Sequence, residues 1–380
     1  MSGIKEILIL EELIDSPIVS RITANYPKAK VGLVKNQLPQ TILKSSMILS
    51  SAKTLPEKIN LGKQVLVLGK GSIVSRFEVS DRRVKCPSFE RLNPCYNCPF
   101  QCSWCFLAGT FRGLRPFLYL KVNCEDHIRE IDKHTSSGKH FFVYGELQDG
   151  TALESASGFL KMLIPHLAQK DTVKLLILTK AASIDGLPDL KHGGNTIFSC
   201  TLQASPYDII FEKGAPHTEY RLAKMKVMGD HGYPLRVRID PIVFLPGWAK
   251  HYSTLITKIF VTIKPERITL GVPRFEAPTK ALIKRLLRET DPDNFLLSQL
   301  DLLEYQFPEA ATNGKRSRGK FTYPEDTRVN IYSYIIEEIR KHSDIPIALC
   351  KETGSVWRAV GLDLSKVQCN CVWESVDLSL

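Results

Sequence analysis

The run Cys98-Pro-Phe-Gln-Cys102-Ser-Trp-Cys105 sets three thiols in a Cys-x3-Cys-x2-Cys spacing, with an aromatic residue just before the last. Three thiolates hold three irons of a [4Fe–4S] cube and leave the fourth iron without a protein ligand. Ferredoxin runs close the cube with four cysteines, so a count of three is itself informative. An open iron can bind the amino and carboxylate groups of S-adenosylmethionine (SAM) and pass one electron into its sulfonium, which releases a 5′-deoxyadenosyl radical. Cys95 lies three residues upstream, so a zinc knuckle or a closed cluster on Cys95, Cys98, Cys102 and Cys105 is the competing reading. Structural zinc sites usually separate their ligand pairs by a longer insert.

Other thiols lie apart. Cys350, Cys369 and Cys371 fall in a short span near Trp373. With Cys86 or Cys95 they are candidates for an auxiliary centre, either a second [4Fe–4S] cluster or zinc. Cys124 and Cys200 sit inside periodic runs and read as core thiols.

These residues need a scaffold. Glu6–Leu10, Lys30–Val34 and Gln64–Leu68 read as short buried strands of a small α/β unit over residues 1–85. The Gly69-Lys70-Gly71 that follows lacks the third glycine of a dinucleotide fingerprint, since Val74 occupies its place, and reads as a tight turn. Over residues 86–307, strand-like runs at His140–Tyr144, Val173–Thr179, Thr196–Leu202, Leu235–Ile239 and Arg267–Val272 alternate with amphipathic stretches. The stretches are Cys124–His134, Gly158–Gln169 and Thr218–Met228, the last with Thr218 as N-cap and Gly229 as stop. Such alternation predicts a parallel sheet. In α/β barrels, sites form at the C-terminal strand ends, which puts the three-cysteine loop just after the first strand. Residues 308–380 hold a basic, glycine-flanked segment, a helix over Glu325–His342 and the cysteine-containing tail.

A chain of 380 residues with 43% hydrophobic content can bury a sizeable core. The first residues, Met1–Ile14, mix acids with aliphatics and lack a targeting pattern. No apolar run is long enough to cross a bilayer, so the expected compartment is a reducing cytoplasm, with no membrane partner and no disulfide framework. The formal net charge of +11 favours a polyanionic partner, DNA or RNA. Lys315, Arg316, Arg318 and Lys320, close to Phe321 and Tyr323, are candidates for phosphate and base contact, and Arg82, Arg83 and Lys85 could extend the patch.

The chain resembles the radical-SAM superfamily and, within it, the spore photoproduct lyase family. The resemblance rests on Cys98, Cys102 and Cys105 continuing as Phe106-Leu107. It also rests on Leu176-Ile177-Leu178-Thr179-Lys180, Gly232-Tyr233-Pro234-Leu235 with Asp240-Pro241-Ile242, and Gly319-Lys320-Phe321-Thr322-Tyr323, all in the family order. It implies a partial (β/α)6 barrel, one [4Fe–4S] cluster, SAM as co-substrate, reversal of a DNA thymine lesion and a low-potential donor of the flavodoxin or ferredoxin type. It would set Trp104 near the SAM adenine, with Lys180, Thr201 and Asp240 at strand ends facing SAM.

Two positions depart from the family. The stretch Val143–Asp149 lacks the cysteine that returns a hydrogen atom to the product, and Phe106 replaces a relay tyrosine. Gly145-Glu146 stands there instead, and resembles the element that holds the SAM ammonium by a charge-assisted hydrogen bond. The expectation is therefore a radical SAM enzyme of nucleic-acid repair or modification that abstracts hydrogen from a different substrate or returns it by another route. The alternatives are the same chemistry on a small molecule or peptide, and a non-catalytic metal-stabilised nucleic-acid-binding module.

Overall fold

The computed structural model describes residues 3–79, 81, 83–111, 114–307, 310–312, 315–317 and 319–379. Two sheets organise the chain. The larger has eight strands, and seven of them run parallel. In spatial order the parallel strands are Phe89–Leu92, His140–Tyr144, Val173–Thr179, Thr196–Thr201, Leu235–Ile239, Arg267–Leu270 and Ile347–Leu349, here numbered first to seventh. Val74–Phe77 adds an antiparallel edge beside the first. The third and fourth strands are buried along almost their whole length, as their aliphatic runs require when both faces are covered. Helices Cys124–His134, Phe159–Leu167, Thr218–Asp230 and Trp248–Thr262 return the chain between strands. This is the expected mixed α/β fold with a parallel barrel-type sheet.

The strand ranges read from sequence recur to within two residues. Helix Thr218–Asp230 differs at both ends: His217 takes the N-cap position, and Thr218 Oγ1 instead donates to Gln203 O at 2.7 Å. Gly229 lies inside that helix rather than ending it, and a side chain there would meet Leu235 Cδ1 at 2.9 Å.

The smaller sheet orders Lys30–Val34, Glu6–Leu10, Val65–Gly69, Leu118–Lys121 and Cys95–Tyr96. It thus extends past residue 85, borrowing strands from either side of the cluster loop. Gly69 is required there: a Cβ would sit 2.0 Å from the Tyr119 hydroxyl. The loop is consequently held between the two sheets. Residues Glu304–Phe307 and Lys320–Thr322 form an antiparallel pair that also joins Phe275–Glu276. No helix among the described residues is long and apolar enough to cross a membrane.

Candidate active site

The C-terminal ends of the parallel strands open onto one cavity of about 700 Å³. Cys98, Cys102 and Cys105 line it, and Asn97 builds their loop. Asn97 has φ +71°, a left-handed conformation that asparagine tolerates. Its Oδ1 accepts from Lys63 Nζ at 2.6 Å and Cys98 N at 2.9 Å, while Nδ2 donates to Pro116 O at 2.9 Å. Cys102 is pinned by strand pairing of Gln101–Cys102 with Glu212–Lys213. Burial raises the Cys98 thiol, and burial followed by the Glu212 charge pushes Cys102 up to about 12. Metal would therefore displace protons from these sulfurs. Among the described residues, the ligand atoms that cluster within 4.8 Å of one another belong to Glu90, His134 and His140. The three cysteine sulfurs do not form such a group.

The remaining SAM candidates, Trp104, Gly145, Glu146, Lys180, Thr201 and Asp240, all line the same cavity. Trp104 packs on Phe211 with ring centroids 4.4 Å apart, and its buried Nε1 has no hydrogen-bond partner. A buried orphan donor on a cavity wall is a place for a ligand acceptor. Gly145 has φ +115°, and a Cβ there would meet Leu178 O at 2.3 Å, so only glycine fits the turn that presents Glu146. The Glu146 carboxylate lies 3.9 Å from Lys351 Nζ. Lys180 is already engaged, because its Nζ donates to Glu212 Oε1 at 2.7 Å.

Three polar residues here were not singled out from the sequence. Asp149 accepts from Thr179 Oγ1 at 2.6 Å and from the backbone N–H groups of Thr151, Ala152, Lys180 and Ala181, which locks the loops after the second and third strands together. Glu212 is fully buried between Lys180 and Arg221, the latter at 2.5 Å. Burial alone would raise its carboxyl, but the two cations outweigh burial and hold it below the usual range. Arg221 also donates to Thr201 O at 2.8 Å, tying the fourth strand into the same network.

A second group of thiols lines the cavity: Cys86, Cys350 and Cys371. The short ladder of Val84–Lys85 with Glu352–Thr353 carries Cys86 alongside Lys351 and Cys350. Cys350 follows the seventh strand, and its N–H donates to Leu270 O at 2.7 Å. Cys371 is set by its neighbour Asn370, whose Nδ2 donates to Ser199 Oγ and Val237 O and whose Oδ1 accepts from Thr269 Oγ1. Arg238 Nη2 then donates to Cys371 Sγ at 3.3 Å. Of the other tail-centre candidates, Cys369 is buried behind Cys371 and off the cavity wall. Cys95 belongs to the core of the smaller sheet, where its Sγ donates to Tyr96 O at 3.4 Å. Neither lines the cavity, though Cys369 shares a side-chain hydrogen bond with Cys371.

The basic segment divides. Lys320 lines the cavity, and its amino group is lowered by burial and then by Lys351. Tyr323 was expected to face nucleic acid. It is instead 1% exposed, and its hydroxyl accepts from Phe244 N at 3.2 Å, so it is a core residue. Lys315 and Arg316 fall on a strand, Lys315–Ser317, that pairs with Ala310–Thr312. Arg318 and Arg82 lie outside the described residues. Arg83 is paired with Asp81 at 2.7 Å.

A family model described as spore photoproduct lyase matches residues 48–348. Spore photoproduct lyase of Bacillus subtilis (strain 168) is 26% identical over 292 residues, covering 73% of this chain and 80% of that protein. The same-named protein of Geobacillus sp. (strain Y412MC61) is 26% identical over 204 residues, covering 52% and 60%. A solved spore photoproduct lyase mutant superposes with TM-score 0.75 at 18% identity, covering 91% of this chain and 97% of its own. Another, with bound AdoMet and dinucleoside spore photoproduct, superposes with TM-score 0.73 at 18% identity and the same coverage. With the match running through most of its length, the chain belongs to the spore photoproduct lyase family of radical SAM enzymes.

Proposed function

We propose that this enzyme acts on DNA, reversing or modifying a thymine lesion, with one catalytic [4Fe–4S] cluster and SAM. The observation that carries the reading is the joint lining of a single cavity by three closely spaced thiols and by the strand-end residues Glu146, Thr201 and Asp240. Cys98, Cys102 and Cys105 would hold the cluster. Glu146 would receive the SAM ammonium by a charge-assisted hydrogen bond, and Trp104 would border the adenine. When bound, these groups supply one-electron cleavage of the sulfonium C–S bond and a radical able to take hydrogen from carbon.

The chain's own residues position and exclude water. Asp149 fixes the loop that carries Glu146 against the strand that carries Lys180. The Lys180–Glu212–Arg221 network backs the cluster loop, with one buried carboxylate held between two cations. Such a network keeps a rigid polar wall beside the sulfurs. Lys320 on the cavity wall, with the net charge of +11, favours a polyanion. A low-potential donor of flavodoxin or ferredoxin type would supply the electron. The stretch Val143–Asp149 offers no thiol, which favours a route of hydrogen return that differs from the relatives'.

The test is anaerobic reconstitution with iron, sulfide, SAM and dithionite, with and without dinucleoside spore photoproduct. The expected result is 5′-deoxyadenosine in both arms and conversion of the dinucleoside. No 5′-deoxyadenosine would overturn radical chemistry. 5′-Deoxyadenosine without conversion, joined to DNA affinity that does not fall with salt, would shift the substrate to a small molecule or peptide.

A further inference from the structure

We propose that Cys86, Cys350 and Cys371 hold a second iron–sulfur cluster, facing the catalytic one across the same cavity. The proposal concerns the protein's metal content and does not depend on which substrate the enzyme takes. Three features converge. First, the thiols come from three separate parts of the chain, yet all open onto one wall, and Cys86 and Cys371 each feel the Arg238 charge. Second, two half-buried cations on the cavity wall attend them. Arg238 spends a guanidinium hydrogen bond on Cys371 Sγ, and Lys351 lies in the turn after Cys350 with φ +53°. A neutral thiol is a weak acceptor, whereas a thiolate is a strong one for a buried guanidinium. Metal ligation makes the sulfur anionic and so strengthens the hydrogen bond that Arg238 already makes to it.

Third, the three thiols form no compact single-ion group of the kind that Glu90, His134 and His140 make. A cube takes its ligands at separate corners and does not need them within one ion's reach. As at the catalytic loop, three sulfurs would leave one iron without a protein ligand. That iron would look into the cavity and could take an oxygen or nitrogen donor from whatever lies there.

The test is metal analysis of anaerobically purified and reconstituted protein in three forms: wild type, Cys98→Ala/Cys102→Ala/Cys105→Ala, and Cys86→Ala/Cys350→Ala/Cys371→Ala. Expected are about eight irons and eight sulfides per wild-type chain and about four of each in either variant. After dithionite, the first variant should show an electron paramagnetic resonance signal distinct from that of the second. The proposal is overturned if wild type holds only about four irons, or if the first variant, folded by circular dichroism, holds no iron and sulfide or holds zinc without sulfide. In each of those cases SAM cleavage by wild type would persist. That outcome separates failure here from failure of the proposed function.

Discussion

The two thiol sets at the ends of the cavity are assembled in opposite ways. Cys98, Cys102 and Cys105 come from one loop of eight residues, braced by Asn97 in a left-handed conformation. Cys86, Cys350 and Cys371 meet because a two-residue ladder, a seventh barrel strand and a buried asparagine bring distant segments together. The first set is backed by a carboxylate, Glu212, flanked by two cations, Lys180 and Arg221. The second is attended by two cations, Arg238 and Lys351, that share the cavity wall with Glu146 and Asp240.

The comparison breaks most sharply at Cys102. Cys102→Ala removes a ligand from the near set, and SAM cleavage should fall by more than the roughly 100-fold that loss of an outer partner costs. Comparable 5′-deoxyadenosine yield from the variant would show that the near set is not the catalytic one. Glu212→Gln keeps the shape but leaves two buried cations short of a partner. It should lower unfolding stability by about 3–5 kcal/mol, read by thermal denaturation. An unchanged melting temperature would mean that the network is not the support described.

Arg238→Gln should weaken iron retention at the far set by roughly 10- to 100-fold while leaving near-set iron in place, and Arg238→Lys should recover part of it. Equal loss at both sets would erase the distinction. The smallest effect is in pH. Cys102 and Cys350 are each raised to about 12, so each binds a proton in the metal-free chain throughout the neutral range. Ligation releases those protons, so metal affinity should rise about tenfold per pH unit for each thiol deprotonated and fall toward acid. Competition with a chelator at stepped pH checks this, and a flat profile would contradict it.

Much of the scaffold was legible because its strands are short aliphatic runs of even spacing, and His140–Tyr144 and Val173–Thr179 stand as read. The near set was legible because its ligands are neighbours in sequence. Strand Ile347–Leu349 was missed because three residues carry no period. Its membership of the barrel depends on a register with Arg267–Leu270 that only tertiary packing decides. Glu212 escaped notice because nothing local marks a glutamate whose partners, Lys180 and Arg221, lie on other elements. Tyr323 was misjudged for the converse reason. Its basic neighbours suggested a wet surface, but a tyrosine carries enough apolar body to be drawn into the core, with its hydroxyl satisfied there. Cys95 and Cys369 lie close in sequence to cavity cysteines yet off the cavity wall, because the chain turns away between them.

Asn370 has no exposed surface, and its hydrogen bonds reach the fourth, fifth and sixth barrel strands. The tail is thereby fastened from inside the sheet rather than laid over it. A protease can trim such a segment only after the strands around it have parted, so the lifetime of the tail under digestion becomes a clock for how often the barrel breathes.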